Sequence, residues 1–76
     1  MNQDEVFELR VKKMRYNIKT IEIAKALGIS VGAVSRWERG IIMLSQEKQK
    51  MYRDYILKRE EAYLRGEEND KKKKEA

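Results

Sequence analysis

The 76-residue sequence has no cysteine, no histidine and no proline, and each absence closes off a class of chemistry or structure. Without cysteine or histidine there is no thiol nucleophile, no disulfide framework, no histidine general base and no zinc-finger ligand set. Without proline, and with only four glycines, two of them at expected helix ends, the chain reads as all-α. No run alternates apolar and polar residues for long enough to make a strand. Long apolar runs are missing too: nothing approaches the roughly 20 residues of a membrane-spanning helix or the core of a signal peptide. A soluble, cytoplasmic protein is the expectation. The length suits one small domain, in which only about 60% of the unfolded surface is buried. Also absent are a phosphate-cradling glycine loop, a metal-ligand set and a nucleophile placed beside a base. The acids are scattered among basic neighbours, so the chain reads as a non-enzyme with no cofactor.

What the chain does have is charge, unevenly spread. Lys and Arg number 18 against 13 Asp and Glu, a net +5. Between residues 9 and 39 stand Arg10, Lys12, Lys13, Arg15, Lys19, Lys25, Arg36 and Arg39, opposed only by Glu22 and Glu38. The first eight residues are acidic instead, and Asp4, Glu5 and Glu8 suit the positive end of a first helix expected from about Asp4 to Tyr16, capped by Asn2 or Asp4. A local basic surplus displaces condensed counterions from a polyphosphate backbone and supplies affinity without sequence preference.

The surplus coincides with the most structured stretch, Thr20 to Arg39, TIEIAKALGISVGAVSRWER. Thr20, Ile23, Ala24 and Leu27 follow the i, i+3, i+4, i+7 spacing that sets side chains on one helical face, expected to be buried. Gly28 falls at the C′ position, where a left-handed backbone costs least, and turns the chain. Ile29 fills the corner, and the Ser30 hydroxyl is suited to cap a second helix starting at Val31. In that helix Val34 and Trp37, with Ile41 beyond it, continue the inward stripe. Gly32, Ser35, Arg36 and Arg39 take the opposite face, and Gly40 ends the helix. Gly32 is open to two explanations: something approaches the backbone closely there, or glycine is simply tolerated in a first turn. Helix, glycine turn, helix is the layout of a helix-turn-helix DNA reader.

On these residues the chain resembles the lambda-repressor and Cro type of helix-turn-helix, the XRE family. The resemblance extends upstream through LRVKKMRYNIKTIEIAKALGIS, with Leu9, Lys13, Ile18, Ile23, Ala24, Gly28 and Ile29 at matching places, and WERG, Trp37 to Gly40, is similar to the family's common ending. It covers roughly residues 9 to 40 and is far more specific than a lone short motif. It implies that Val31, Gly32, Ser35 and Arg36 face base edges in the major groove, while Lys19 and Thr20 touch phosphate, joined by Arg39 on the same exposed face. It also implies a pairing of Lys13 with Glu38. Arginine is commoner at the first position, and lysine lacks the planar two-pronged bond to a carboxylate. Arg10 is an alternative partner, and a merely solvated Glu38 is the bland outcome. Asn17 replaces a common glycine in the turn before the second helix, a conservative change because Asn tolerates left-handed backbone.

Beyond the motif the sequence departs from the family, which usually finishes with two short helices. Here Ser45 is suited to cap one long helix to about Arg65, with Gly66 as its stop. Tyr52, Ile56 and Tyr63, interrupted by Arg59, space like a coiled-coil seam about two heptads long. Either the first half packs on the core and the second half is left as a dimerisation arm, or the helix serves association throughout. The first helix likewise carries more apolar residues than one face needs, among them Val6, Phe7, Leu9, Val11, Met14 and Tyr16. The terminal GEENDKKKKEA lacks apolar content and reads as a disordered, solubilising tail.

The expected architecture is therefore a small, lambda-repressor-like helix-turn-helix bundle. It comprises a DNA-binding core over 1–44, a C-terminal helix over 45–66 and a charged tail over 67–76. The expected function is sequence-specific transcriptional regulation, as a repressor or Cro-like switch of a bacterium, phage or mobile element, bound as a homodimer to pseudo-palindromic double-stranded DNA. Two alternatives stand beside it: a DNA-binding component of a larger assembly, such as a small terminase subunit or recombination accessory factor, and a protein-interaction module on a helix-turn-helix fold.

Overall fold

The structure, a computed structural model, describes residues 1–66; the expected disordered tail, apart from Gly66, lies outside the described residues. Four helices follow one another: α1 Gln3–Arg15, α2 Thr20–Leu27, α3 Val31–Glu38 and α4 Gln46–Leu64. No strand occurs among the described residues.

Each boundary has a local cause. Asn2, rather than Asp4, caps α1: its side-chain oxygen accepts from the Glu5 backbone N–H at 2.8 Å, and the Glu5 carboxylate reaches back to the Asn2 N–H, a reciprocal capping box. Tyr16 lies just past the helix, where Asn17 takes a left-handed φ of 55° and lets the Ile18 N–H bond back to the Lys13 carbonyl at 2.9 Å. Gly28 turns the chain as expected, with φ 73°, and the Ile29 N–H closes onto the Ala24 carbonyl. The Ser30 and Ser45 hydroxyls then accept from Ala33 and Lys48 N–H groups to start α3 and α4.

The core gathers Val6 and Leu9 of α1, Ile23, Ala24 and Leu27 of α2, Val34 and Trp37 of α3, and Tyr52 and Ile56 of α4, with Tyr16 and Ile18 at the first corner. Trp37 meets Tyr52 edge-on, ring centroids 4.7 Å apart, so the two large aromatics interlock at the centre. The coiled-coil-like spacing of α4 is explained by this packing. Tyr52 and Ile56 are wholly buried in the core formed with α1, α2 and α3, and Tyr63 packs on Tyr16 in a tilted arrangement, ring centroids 4.9 Å apart. At roughly 1.5 Å per residue α4 is about 28 Å long, enough to span the bundle. It is joined there by Lys48, whose ammonium donates to the Leu27 carbonyl at 2.6 Å and caps the end of α2.

Ile41 departs from expectation: it is 60% exposed and does not extend the inward stripe of α3. Gly40, at φ 77°, swings the chain off the helix axis, so the helical phase that would have turned Ile41 inward ends with Glu38. The Ile41 N–H instead satisfies the Arg36 carbonyl at 2.8 Å. On α1 the surplus apolar residues Phe7 and Met14 face outward.

Candidate nucleic-acid interface

The inward anchoring of Val34 and Trp37 fixes which side of α3 faces out. Val31, Arg36 and Arg39 are exposed, and Gly32 and Ser35 are half-buried on the same side. All four expected base-reading positions thus share one surface with Arg39. Arg39 lies back along its own helix, its Nε donating to the Ser35 carbonyl at 3.4 Å. Arg36 has no such internal partner among the described residues, and its guanidinium lies over Gly32.

The start of α2 supplies the neighbouring surface. Lys19 is the exposed residue before the helix and Thr20 is its first residue. Thr20 is half-buried rather than fully inward, because the Lys13 ammonium donates to its Oγ1 at 2.8 Å. With its oxygen thus engaged as acceptor, the hydroxyl has its proton left to donate outward, the role a phosphate contact demands. Lys13 at the same time donates to Glu38 Oε2 at 2.8 Å, and the buried Tyr52 hydroxyl donates to that oxygen at 2.6 Å. Lys13, not Arg10, therefore pairs with Glu38, and Glu38 is 7% exposed rather than solvated. Burial, and then the adjacent Glu38 carboxylate, push the Tyr52 hydroxyl far above the ordinary tyrosine range, so it stays a donor. One carboxylate at the end of α3 thereby holds α1, α4 and, through Lys13, the start of α2.

A second network locks α4 to the same region. The Glu22 carboxylate accepts from its own Lys19 N–H at 3.1 Å, from the Tyr55 hydroxyl at 2.7 Å and from Arg59. Partial burial pushes Glu22 up, but the Tyr55, Lys19 and Arg59 donors outweigh it and hold the group below the ordinary 4.5. Glu60 is lowered likewise by hydrogen bonds from Lys12 at 2.7 Å and Tyr16 at 2.9 Å. A carboxylate whose pKa is depressed by folding contributes stability above its unfolded value and loses it as pH falls through the folded one. The melting temperature is accordingly expected to decline as pH drops below about 4.5, and Glu22→Gln together with Glu60→Gln should flatten that part of the profile. Tyr52, Tyr55, Arg59 and Glu60 were not legible as partners, because they lie 14 to 48 residues from the groups they touch. Apart from the Glu38 position, carried by the family resemblance, no spacing rule announces them.

A bundle that buries one side of a short helix and turns its polar side outward, directly after a glycine corner, defines a helix-turn-helix DNA-binding domain. Residues 8–48 match the helix-turn-helix family model, more than half of the chain, and the chain belongs to that family, in its lambda-repressor and Cro, or XRE, type. Neither a curated protein nor a solved structure gives a match. No helix among the described residues is long and apolar enough to cross a membrane.

Proposed function

We propose that this DNA-binding domain is a sequence-specific transcriptional regulator, a repressor or Cro-like switch of a bacterium, phage or mobile element, that inserts α3 into the major groove. The observation that carries this is the fixed orientation of α3: with Val34 and Trp37 locked inward, Val31, Gly32, Ser35 and Arg36 are presented together. Lys19, Thr20 and Arg39 flank them and are assigned to phosphate, where they set register without reading bases. A lone eight-residue helix offers few contacts, which favours a homodimer on a pseudo-palindrome with half-sites about 34 Å apart. The exposed Ile41 and Met43, directly beyond α3, supply apolar surface that a second copy can cover.

Gel-shift titration against selected genomic fragments at fixed salt tests the reading. One or a few fragments are expected to bind far more tightly than the rest, and equal affinity for all would overturn it. Arg36→Ala is expected to lose roughly 1–3 kcal/mol on the preferred site and to relax discrimination at one base pair, the behaviour of a bidentate arginine–guanine contact. A loss that is uniform across sequences would reassign Arg36 to phosphate.

A further inference from the structure

Gly32 is the only glycine inside a helix of the described residues, in a position that calls for no unusual backbone angle. Glycine is the poorest helix former after proline; a first turn tolerates it, and its surroundings decide whether it also has a task there. The surroundings supply one. A Cβ placed on Gly32 would stand 3.1 Å from Nη1, 3.5 Å from Nη2 and 3.6 Å from Cζ of Arg36. The guanidinium therefore lies so close over position 32 that a side chain there would press it outward by a few tenths of an ångström.

We infer that Gly32 is a positioning residue for Arg36, its missing Cβ letting the guanidinium lie along α3 toward the end of the helix that enters the groove. The inference rests on the DNA-reading function proposed above and assigns Gly32 a different task from admitting a base edge to its own backbone. The geometry is that of an i, i+4 pair, in which side chains lean toward the helix N-terminus and the later residue covers the earlier one. Charge on α3 does not draw the guanidinium there: the first turn of the helix holds no acidic residue, and the positive end of the helix dipole disfavours a cation. Arg36 has no hydrogen-bond or ion-pair partner among the described residues, unlike Arg39, which bonds to the Ser35 carbonyl. Its five donors thus arrive unspent, at the N-terminal half of the helix, where the O6 and N7 acceptors of a guanine would meet them. An alanine at position 32 meets only the far, flexible end of Arg36, so it fits the fold by shifting the guanidinium a few tenths of an ångström off its resting place.

The prediction separates fold from recognition. Gly32→Ala should melt no lower than the parent, since alanine is the better helix former. Yet it should lose base discrimination at the position that Arg36→Ala also flattens, by roughly 10- to 100-fold. The experiment selects bound sequences from a random DNA pool with the parent, Gly32→Ala, Arg36→Ala and the double variant. It then measures affinities for the best parent site and its single-base-pair variants at fixed salt. Support consists of both single variants flattening the same base pair, with the double variant no worse than Arg36→Ala. The Arg36 Nε–Hε resonance of the DNA-free protein should also shift in Gly32→Ala. The inference is overturned if Gly32→Ala flattens a different base pair, if the two losses multiply independently, if Gly32→Ala destabilises the fold, or if the Arg36 resonance stays in place. A parent protein with no base preference at all would remove the DNA-reading function itself, an outcome distinct from each of these.

Discussion

Glu38→Ala is expected to remove about 3–5 kcal/mol of folding stability, the cost of leaving a buried charge without its partner. The carboxylate is 7% exposed and is the shared acceptor for Lys13 and Tyr52. Its removal strands an ammonium whose side chain is 13% exposed, with only the Thr20 hydroxyl left beside it, and a tyrosine hydroxyl in the fully buried centre of the core. A domain of this size holds on the order of 5–15 kcal/mol in total, so the variant is expected at or near the edge of folding. Urea denaturation gives the measurement: the midpoint should fall with little change in slope. A companion distinguishes stranded polarity from lost packing. Combining Lys13→Met, Glu38→Leu and Tyr52→Phe removes every member of the network, and most of the stability should return. A loss below about 1 kcal/mol for Glu38→Ala would show instead that Lys13 swings out to water and that the buried pair is dispensable.

This network also marks where sequence reasoning reaches its limit. Gly28 and Ser30 specify the corner between α2 and α3 through backbone chemistry local to a few residues, and the 3.6-residue spacing of Ile23, Leu27, Val34 and Trp37 specifies which faces turn inward. Those features were legible because the cause lies within one or two helical turns. The same periodicity does not reach Ile41, because the left-handed Gly40 ends it first. The role of α4 was only half legible. Its spacing suits a seam between helices, but a seam pattern does not say whether the partner is another chain or the same one. Tyr52 and Ile56 meet the chain's own α1, α2 and α3, and the hydrogen bonds of Tyr55 and Arg59 to Glu22 secure α4 to the start of the reading motif. Of the candidate site, the fold accounts for which residues share a surface. The division into base and phosphate contacts comes from the family resemblance and from the chemistry of each side chain.

That division has a large consequence for binding in salt. Lys19 and Arg39, assigned to phosphate, present two cations per protomer and therefore four in a homodimer; each neutralised phosphate adds about −0.9 to the slope of log affinity against log salt. Four such contacts give a slope near −3.6, so raising monovalent salt from about 50 to about 200 mM is expected to weaken specific binding roughly 150-fold, more where other cations of the basic surplus also reach the backbone. Lys19→Ala, which in a homodimer removes two contacts, should reduce the slope by about 2 while leaving the order of preferred sequences intact. Arg36→Ala should do the reverse, changing the preferred sequence with a smaller effect on the slope if its guanidinium is spent on a base. Thr20→Val should weaken binding without altering the slope, since a hydroxyl donates to phosphate but displaces no counterion. Fluorescence anisotropy titrations over a salt series, on the preferred site and on a scrambled duplex, measure all three. A slope unchanged by Lys19→Ala would place that lysine away from the backbone and with it contradict the docking orientation in which the start of α2 flanks the groove that α3 enters.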